Sequence, residues 1–289
     1  MKTAIVTAAS SFRGIFIHGV LSAFEKFGFR AEAYAGASSL SIPSAYGAIG
    51  KINALGGIDY WKHRVHGVRE NNFEMSKCIK IGIDLNFEDM AGGLFRADSS
   101  RLFIGVSEIL TEEVVAQSSE EKSSTKLARQ LMVASAKKDD SWMKKNVAPR
   151  VFDTQAEGEF KLTENNLKEV MYATTRLLPA WKDPAVVNGK YFLDAVYTCG
   201  IPLFETAISD FEKIIVISAE PGPMFADMFC SRGIPDRIQD TEILKIQPDF
   251  PLSQVGVEFL TATDDGISKA FEHGFQKGET FLNKVLLQK

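Results

Sequence analysis

The chain has 289 residues, 45% of them hydrophobic and 24% charged, the proportions of an ordinary globular protein. Lysine and arginine number 33 against 37 acidic residues, and the net charge of -4 excludes the broad basic footprint of a nucleic-acid binder. No apolar run approaches the roughly 20 residues that span a bilayer. Three widely spaced cysteines, Cys78, Cys199 and Cys230, argue against a disulfide framework and for a reducing, cytoplasmic setting.

In chain order, residues 3–9 read as a short buried strand. Its apolar stretch stops at Ala9, too soon for a leader sequence. A tight polar connection, residues 10–14, leads to a helix over 15–27. There Ile17, Val20, Leu21, Phe24 and Phe27 recur at spacings of three and four, and Gly28 ends the pattern. Residues 31–35 form a second strand, and Ser38 or Ser39 opens a helix of small residues that stops at Gly50. A helix is expected over 58–66, then a mixed stretch to Ala97. The pattern next predicts a helix over 100–116, a polar connector over 118–126 and a strand over 129–136. Short strands at 151–152 and 159–162 precede a helix over 165–173. Residues 214–219 (IIVISA) and 242–246 are strands, and 260–287 closes the chain as one or two helices. Strand and helix alternation of this kind predicts one α/β domain over residues 1–289, a three-layer fold with a mostly parallel sheet covered by helices on both faces.

Two polar clusters carry a bland reading. His63 and His66 can share a helix face, but with no carboxylate or thiol nearby in sequence they suit a surface better than a metal. The basic run Lys137, Lys138, Lys144, Lys145 and Arg150 is interrupted by Asp139 and Asp140 and reads as a solvated loop.

Three segments can carry chemistry. In Gly36-Ala37-Ser38-Ser39-Leu40, a serine stands between a strand and a helix among small residues. A nucleophile elbow has this form: the turn strains the serine, and the helix N-terminus favours negative charge at its hydroxyl. Helix capping by serine is the ordinary alternative. In Ala9-Ser10-Ser11-Phe12-Arg13-Gly14, a turn after the first strand can aim backbone N–H groups at a neighbouring site, with Arg13 as a fixed positive charge. In Gly189 to Val196, an apolar strand delivers Asp194, and a carboxylate so placed can take the proton of a serine hydroxyl.

Taken in order, these segments resemble the patatin-like phospholipase family, which carries a G-G-G-x-R-G loop, a G-x-S-x-G elbow and a D-G-G or D-G-A motif. Phe12-Arg13-Gly14 is similar to the end of the first loop, Gly36-Ala37-Ser38 to the elbow, and Asp194 with Ile201-Pro202-Leu203 to the aspartate motif. Ala173-Thr174-Thr175 with Leu178-Pro179-Ala180 resembles the segment before that aspartate, and His273-Gly274-Phe275 resembles the terminal stretch. The resemblance implies a Ser38–Asp194 dyad without histidine, with the Ser10 and Ser11 amides as the oxyanion hole and Arg13, Gly14 and Gly36 in support. It implies hydrolysis of a phospholipid or acylglycerol ester through an acyl-serine. No cofactor, metal or nucleic acid is implied; the partners are the acyl-ester substrate and, peripherally, a membrane.

The sequence departs from that pattern at several positions. Ala9, Ser10 and Ser11 stand where the loop has glycines, Leu40 replaces the trailing elbow glycine, and Ala195-Val196 follows the aspartate. A left-handed conformation costs a non-glycine residue roughly 1–2 kcal/mol. A one-residue shift, with Ser39 at the apex, restores small flanks but loses Gly36. These replacements keep open a second reading, a weakened or inactive member that binds a lipid or protein. A third is a generic α/β protein in which Ser38 and Asp194 lie far apart. Apolar clusters at Phe12, Ile15 and Phe16, at Leu94-Phe95, and at Met224-Phe225 with Met228-Phe229 would contact a lipid surface if they were not core. Residues 224–232 would then form a lid or pocket wall.

Overall fold

The computed structural model describes residues 2–203 and 211–286. Its centre is a nine-stranded, mostly parallel sheet with helices packed on it. β1 (Thr3–Thr7) is wholly buried and lies between β2 (Ala33–Gly36) and β7 (Lys213–Ile217), parallel to both. The strand order therefore diverges at β1, and ligands bind at such a switch point in open α/β sheets. α1 (Gly14–Lys26) makes the crossover from β1 to β2. β9 (Thr241–Ile246) continues the parallel sheet beside β7, with β8 (Arg237–Ile238) antiparallel at that edge.

The other half of the sheet is built on β3 (Arg101–Ile109), and its register explains where the candidate site forms. Phe103 and Ile104 pair with both β2 and β4 (Val147–Asp153), so those two strands lie on opposite edges of β3. Ser107 and Glu108 pair with both β4 and β6 (Lys190–Leu193), so these too lie on opposite edges. β2 and β6 therefore share one edge of β3. β2 leaves it at Gly36, opposite Ile104, and β6 reaches it at Leu193, opposite Ser107. The residues just beyond each strand, 37–38 and 194, are brought into one gap. β5 (Ala185–Val187) completes the edge by pairing with β6.

Among the helices, a 3-10 turn over Ser38–Leu40 precedes α2 (Ser41–Ala48), which lies against β2. A β-carbon on Gly36 would come within 2.8 Å of Ser44 Oγ, so only glycine permits that approach. α3 (Gly57–Glu70) and α4 (Met75–Leu94) follow as an antiparallel-like pair joined by four residues. The 20-residue α4 replaces the mixed stretch expected before Ala97, with Gly82, Gly92 and Gly93 inside it. The terminal helix, α9 (Asp264–Leu286), lies against α1. Their backbones touch at Gly274, where a β-carbon would stand 2.0 Å from the carbonyl oxygen of Phe16. Leu287, the expected end of that helix, lies outside the described residues.

Several expectations are corrected. Residues 101–109 form β3, not the first half of a helix. Leu102, Phe103, Ile104 and Val106 are all buried because this central strand is covered on both sides, which erases the alternation that marks a strand. The helix expected there is only α5 (Glu112–Ser119). Residues 129–136 are the last turns of α6 (Glu121–Ala136), not a strand. The supposed connector caps that helix: Glu120 accepts from the Lys122 and Ser123 N–H groups, and Ser124, Leu127, Ala128 and Leu131 form its buried face. The strand expected at 159–162 is a single bridge, Asp153 to Lys161. α7 (Ser141–Asn146) occupies part of the basic run, where Lys144 pairs with Asp140 and Arg150 with Glu108. The helix expected at 165–173 is α8 (Leu167–Ala173) behind a 3-10 turn.

Candidate active site

The residue at the turn from β2 into the 3-10 segment is Ser38. That residue holds a left-handed φ of 53°, a conformation that L-residues adopt only under constraint. Its hydroxyl donates to Asp194 Oδ2 at 2.8 Å across 156 residues of chain. Ser39 does not take the apex; its hydroxyl donates to the carbonyl of Ser11 at 3.0 Å. Two residues on, the bulk of Leu40 is wholly buried, and the room it needs comes from Gly14. A β-carbon on Gly14 would fall 2.5 Å from Leu40 Cδ2 and 2.9 Å from the Trp61 ring. The buried Leu40 side chain therefore requires a residue without a side chain at position 14.

Asp194 caps a 3-10 turn over Ala195–Tyr197, and its Oδ1 accepts the Val196 N–H at 2.8 Å. Burial pushes its carboxyl up to about 7, against the two hydrogen bonds that favour the carboxylate. Ala195, in the position of a motif glycine, packs with Ala37 and Cys199 in a small buried cluster. The Asp194 carbonyl accepts from Ser107 Oγ at 2.8 Å, and Ser107 also meets Thr198 at 2.7 Å.

Segment 174–176 holds both halves of the pair, a role that sequence reasoning missed. The Thr174 hydroxyl accepts the Ser38 N–H at 2.9 Å and donates to the Gly105 carbonyl at 2.6 Å. The Thr174 carbonyl takes the Ala195 N–H, and the Arg176 carbonyl takes the Asp194 N–H at 2.9 Å. Arg176 is itself completely buried and donates to the carbonyls of Asp183, Phe192 and Ser118. The only sequence signal was the match of Ala173-Thr174-Thr175 to a family segment, which says nothing of these bonds.

The residues expected at the oxyanion hole divide. Ser11 lines the cavity described below and is left-handed, with φ 48°; Ser10 is buried behind it, its hydroxyl donating to the Ala8 carbonyl. Neither N–H meets an acceptor among the described residues. Arg13 is not among the residues that line that cavity. Its guanidinium pairs with Glu220, in the loop that follows β7, and lies 5.4 Å from the centre of the Phe259 ring. Burial lowers its pKa, partly offset by the charge of Glu258.

A cavity of about 420 Å³ opens at Ser38 and Asp194. Its far wall is α3 and α4, not the 224–232 segment expected as a lid. Met224 and Phe229 are core residues, as are Ile15 and Phe16. Val68, Met75, Ile79, Leu177 and Trp181 give the cavity an apolar side. Among the described residues no histidine is hydrogen-bonded to Ser38 or Asp194, although His63 lines the cavity. His18, fully buried, accepts from Trp61 Nε1 at Nδ1, and burial depresses its pKa to about 4, so it is neutral. His66 meets Asp264 at 3.0 Å and His63 the Asp59 carbonyl. Among the described residues, no helix is long and apolar enough to cross a membrane, and no group of three or more His, Cys, Asp and Glu side chains could hold a metal. No protein-family model matches the chain, and no curated protein matches it.

Proposed function

We propose that the chain is a serine acyl-ester hydrolase of the patatin-like type, acting through a Ser38–Asp194 dyad on esters of phospholipids or acylglycerols. The observation that carries this reading is the 2.8 Å hydrogen bond from a strained Ser38 to a buried Asp194 whose carboxyl titrates near neutrality. A base poised near the working pH is the condition for efficient proton transfer. In the first half-reaction Ser38 Oγ attacks the acyl carbon and its proton passes to Asp194 Oδ2. The carbonyl oxygen becomes an oxyanion beside the Ser10 and Ser11 N–H groups. Collapse breaks the ester C–O bond, and the alcohol leaves with the proton from Asp194. Water then attacks the acyl-serine, giving its proton to Asp194, which returns it to Ser38 as the acid departs.

The apolar cavity suits an acyl chain, and a peripheral approach to lipid suits a chain with no spanning helix among its described residues. A cytoplasmic setting belongs to the same proposal. Incubation with a fluorophosphonate tests it: stoichiometric labelling of Ser38, with loss of label and of ester turnover in Ser38→Ala, is the expected result. No labelling of the intact protein, or turnover that survives Ser38→Ala, refutes the dyad. The first of those outcomes favours the binding-module reading.

A further inference from the structure

The cavity has two chemically distinct sides. The apolar side is formed by Val68 near the end of α3, Met75 and Ile79 on the first turns of α4, and Leu177 and Trp181 from the segment that leads to Asp194. The other side is formed by the earlier turns of α3, where Tyr60 and Arg64 lie one helical turn apart. Arg64 donates from Nη1 to the Tyr60 hydroxyl, and its guanidinium carbon lies 5.4 Å from the Tyr60 ring centre and 5.7 Å from that of Trp61. Trp61 in turn packs beside Leu40, two residues from the nucleophile. The stack fixes the guanidinium against the cavity wall.

Among the described residues, Arg64 is the one lysine or arginine that lines this cavity. Lys80, Arg101, Lys144, Arg150, Lys168 and Lys190 each meet a carboxylate within 4.0 Å, whereas Arg64 meets none among the described residues. Five N–H donors on a planar fork, one of them committed to Tyr60, leave the geometry that binds a phosphate bidentately. Asp59 also lines the cavity, but it is exposed at the mouth, one turn nearer the start of α3.

We propose that Arg64 is an anion subsite of this cavity, taking a phosphate carried on the alcohol side of an acyl ester while the acyl chain lies along Val68, Met75 and Ile79. The inference rests on the hydrolase reading for the word ester, but the binding itself does not need turnover. The site thereby selects a single-chain acyl ester with an anionic head group over its neutral counterpart.

The test is calorimetric binding of decyl phosphate, of neutral 1-decylglycerol ether and of inorganic phosphate to the full chain and to Arg64→Gln and Arg64→Lys. The expected result is at least tenfold tighter binding of decyl phosphate than of the ether. Arg64→Gln should remove that preference, Arg64→Lys should keep part of it, and the ether should shift less than twofold in either variant. Equal losses for both amphiphiles, or no preference in the intact protein, overturn the subsite. Inorganic phosphate binding as tightly as decyl phosphate overturns the link to the acyl chain. Because these ligands have no carboxylic ester to cleave, failure here is separate from failure of Ser38 labelling, which tests the hydrolase reading alone.

Discussion

The side chain of Leu40 fills the volume that a β-carbon on Gly14 would occupy. Cδ2 of Leu40 would lie 2.5 Å from that atom, and the Trp61 ring closes the other side. Leu40 on the turn thus requires a residue without a side chain on the facing helix. This contact predicts a coupled pair. Gly14→Ala should destabilise by about 1–3 kcal/mol through overpacking, a fall in Tm of roughly 2–4 °C per kcal/mol in a domain of 150–250 residues or so. Leu40→Ala alone should cost about 2–5 kcal/mol as a cavity. The double variant should be more stable than the sum of the two losses allows, read by chemical denaturation as a double-mutant cycle. Strict additivity would show that the two side chains do not share this space.

Segment 174–176 ties Ser38 to Asp194 through main-chain and hydroxyl bonds, and Thr174 is its centre. Thr174→Val leaves the Ser38 N–H and the Gly105 carbonyl without their buried partner, a loss of about 1–3 kcal/mol. Much of that loss should fall on the strained geometry of Ser38. The expected outcome is a drop in kcat, and in the rate of fluorophosphonate labelling, of roughly ten- to a hundredfold with KM little changed. Thr174→Ser, which keeps the hydroxyl, should restore most of the rate. A variant that loses thermal stability but labels at the normal rate would reduce Thr174 to a packing role.

How much of this was legible in the sequence depends on what kind of signal each residue leaves. Ser38 and Asp194 could be named because a small-residue elbow and an apolar strand ending in a carboxylate are local patterns. The gap that joins them could not, since it comes from β2 and β6 using successive parts of one edge of β3, and β3 itself read as helix. A strand buried on both faces has no period of two to detect. The cavity wall was missed for a related reason: α4 carries three glycines and an irregular apolar pattern, so its packing over Ser38 is decided by tertiary contacts. Thr174 acts through one hydroxyl and one carbonyl, and neither is marked by residue type.

Ser11 holds φ 48° in the loop where the family pattern has glycine. Left-handed backbone costs a serine about 1–2 kcal/mol, and glycine gives back about 0.5–1 kcal/mol as extra freedom in the unfolded chain. Ser11→Gly should therefore be neutral to stabilising, by up to about 1 kcal/mol in denaturant titration. Among the described residues, its side chain makes no hydrogen bond, and the Ser39 hydroxyl is held by its carbonyl, which glycine retains. Ester turnover should persist if the loop serves through its N–H groups. Loss of turnover in a stabilised variant would show that the Ser11 side chain itself takes part.

In the proposed mechanism Asp194 sets the pH dependence of both rate and stability, and the two run in opposite directions. Its carboxyl lies near 7 in the folded protein because burial disfavours the charge, against an ordinary value of 3.8. The dyad needs the carboxylate, so kcat/KM should rise with pH through about 7 and level off above it. For stability, the folded state holds the Asp194 proton over a range in which the unfolded state has released it. The contribution of this group is thus fully present below about 4, declines as pH rises, and is gone above about 7. Asp194→Asn keeps the shape and removes the titration. Relative to the native protein, that variant should gain Tm progressively between pH 4 and pH 8 while losing all turnover. The gain should be largest at pH 8, where the native protein carries a buried charge held by only the Val196 N–H and the Ser38 hydroxyl. A Tm difference that is flat across this range would mean that the carboxyl titrates near its ordinary value. The base would then have to be strengthened by substrate binding, and the rise in kcat/KM would move down toward pH 4.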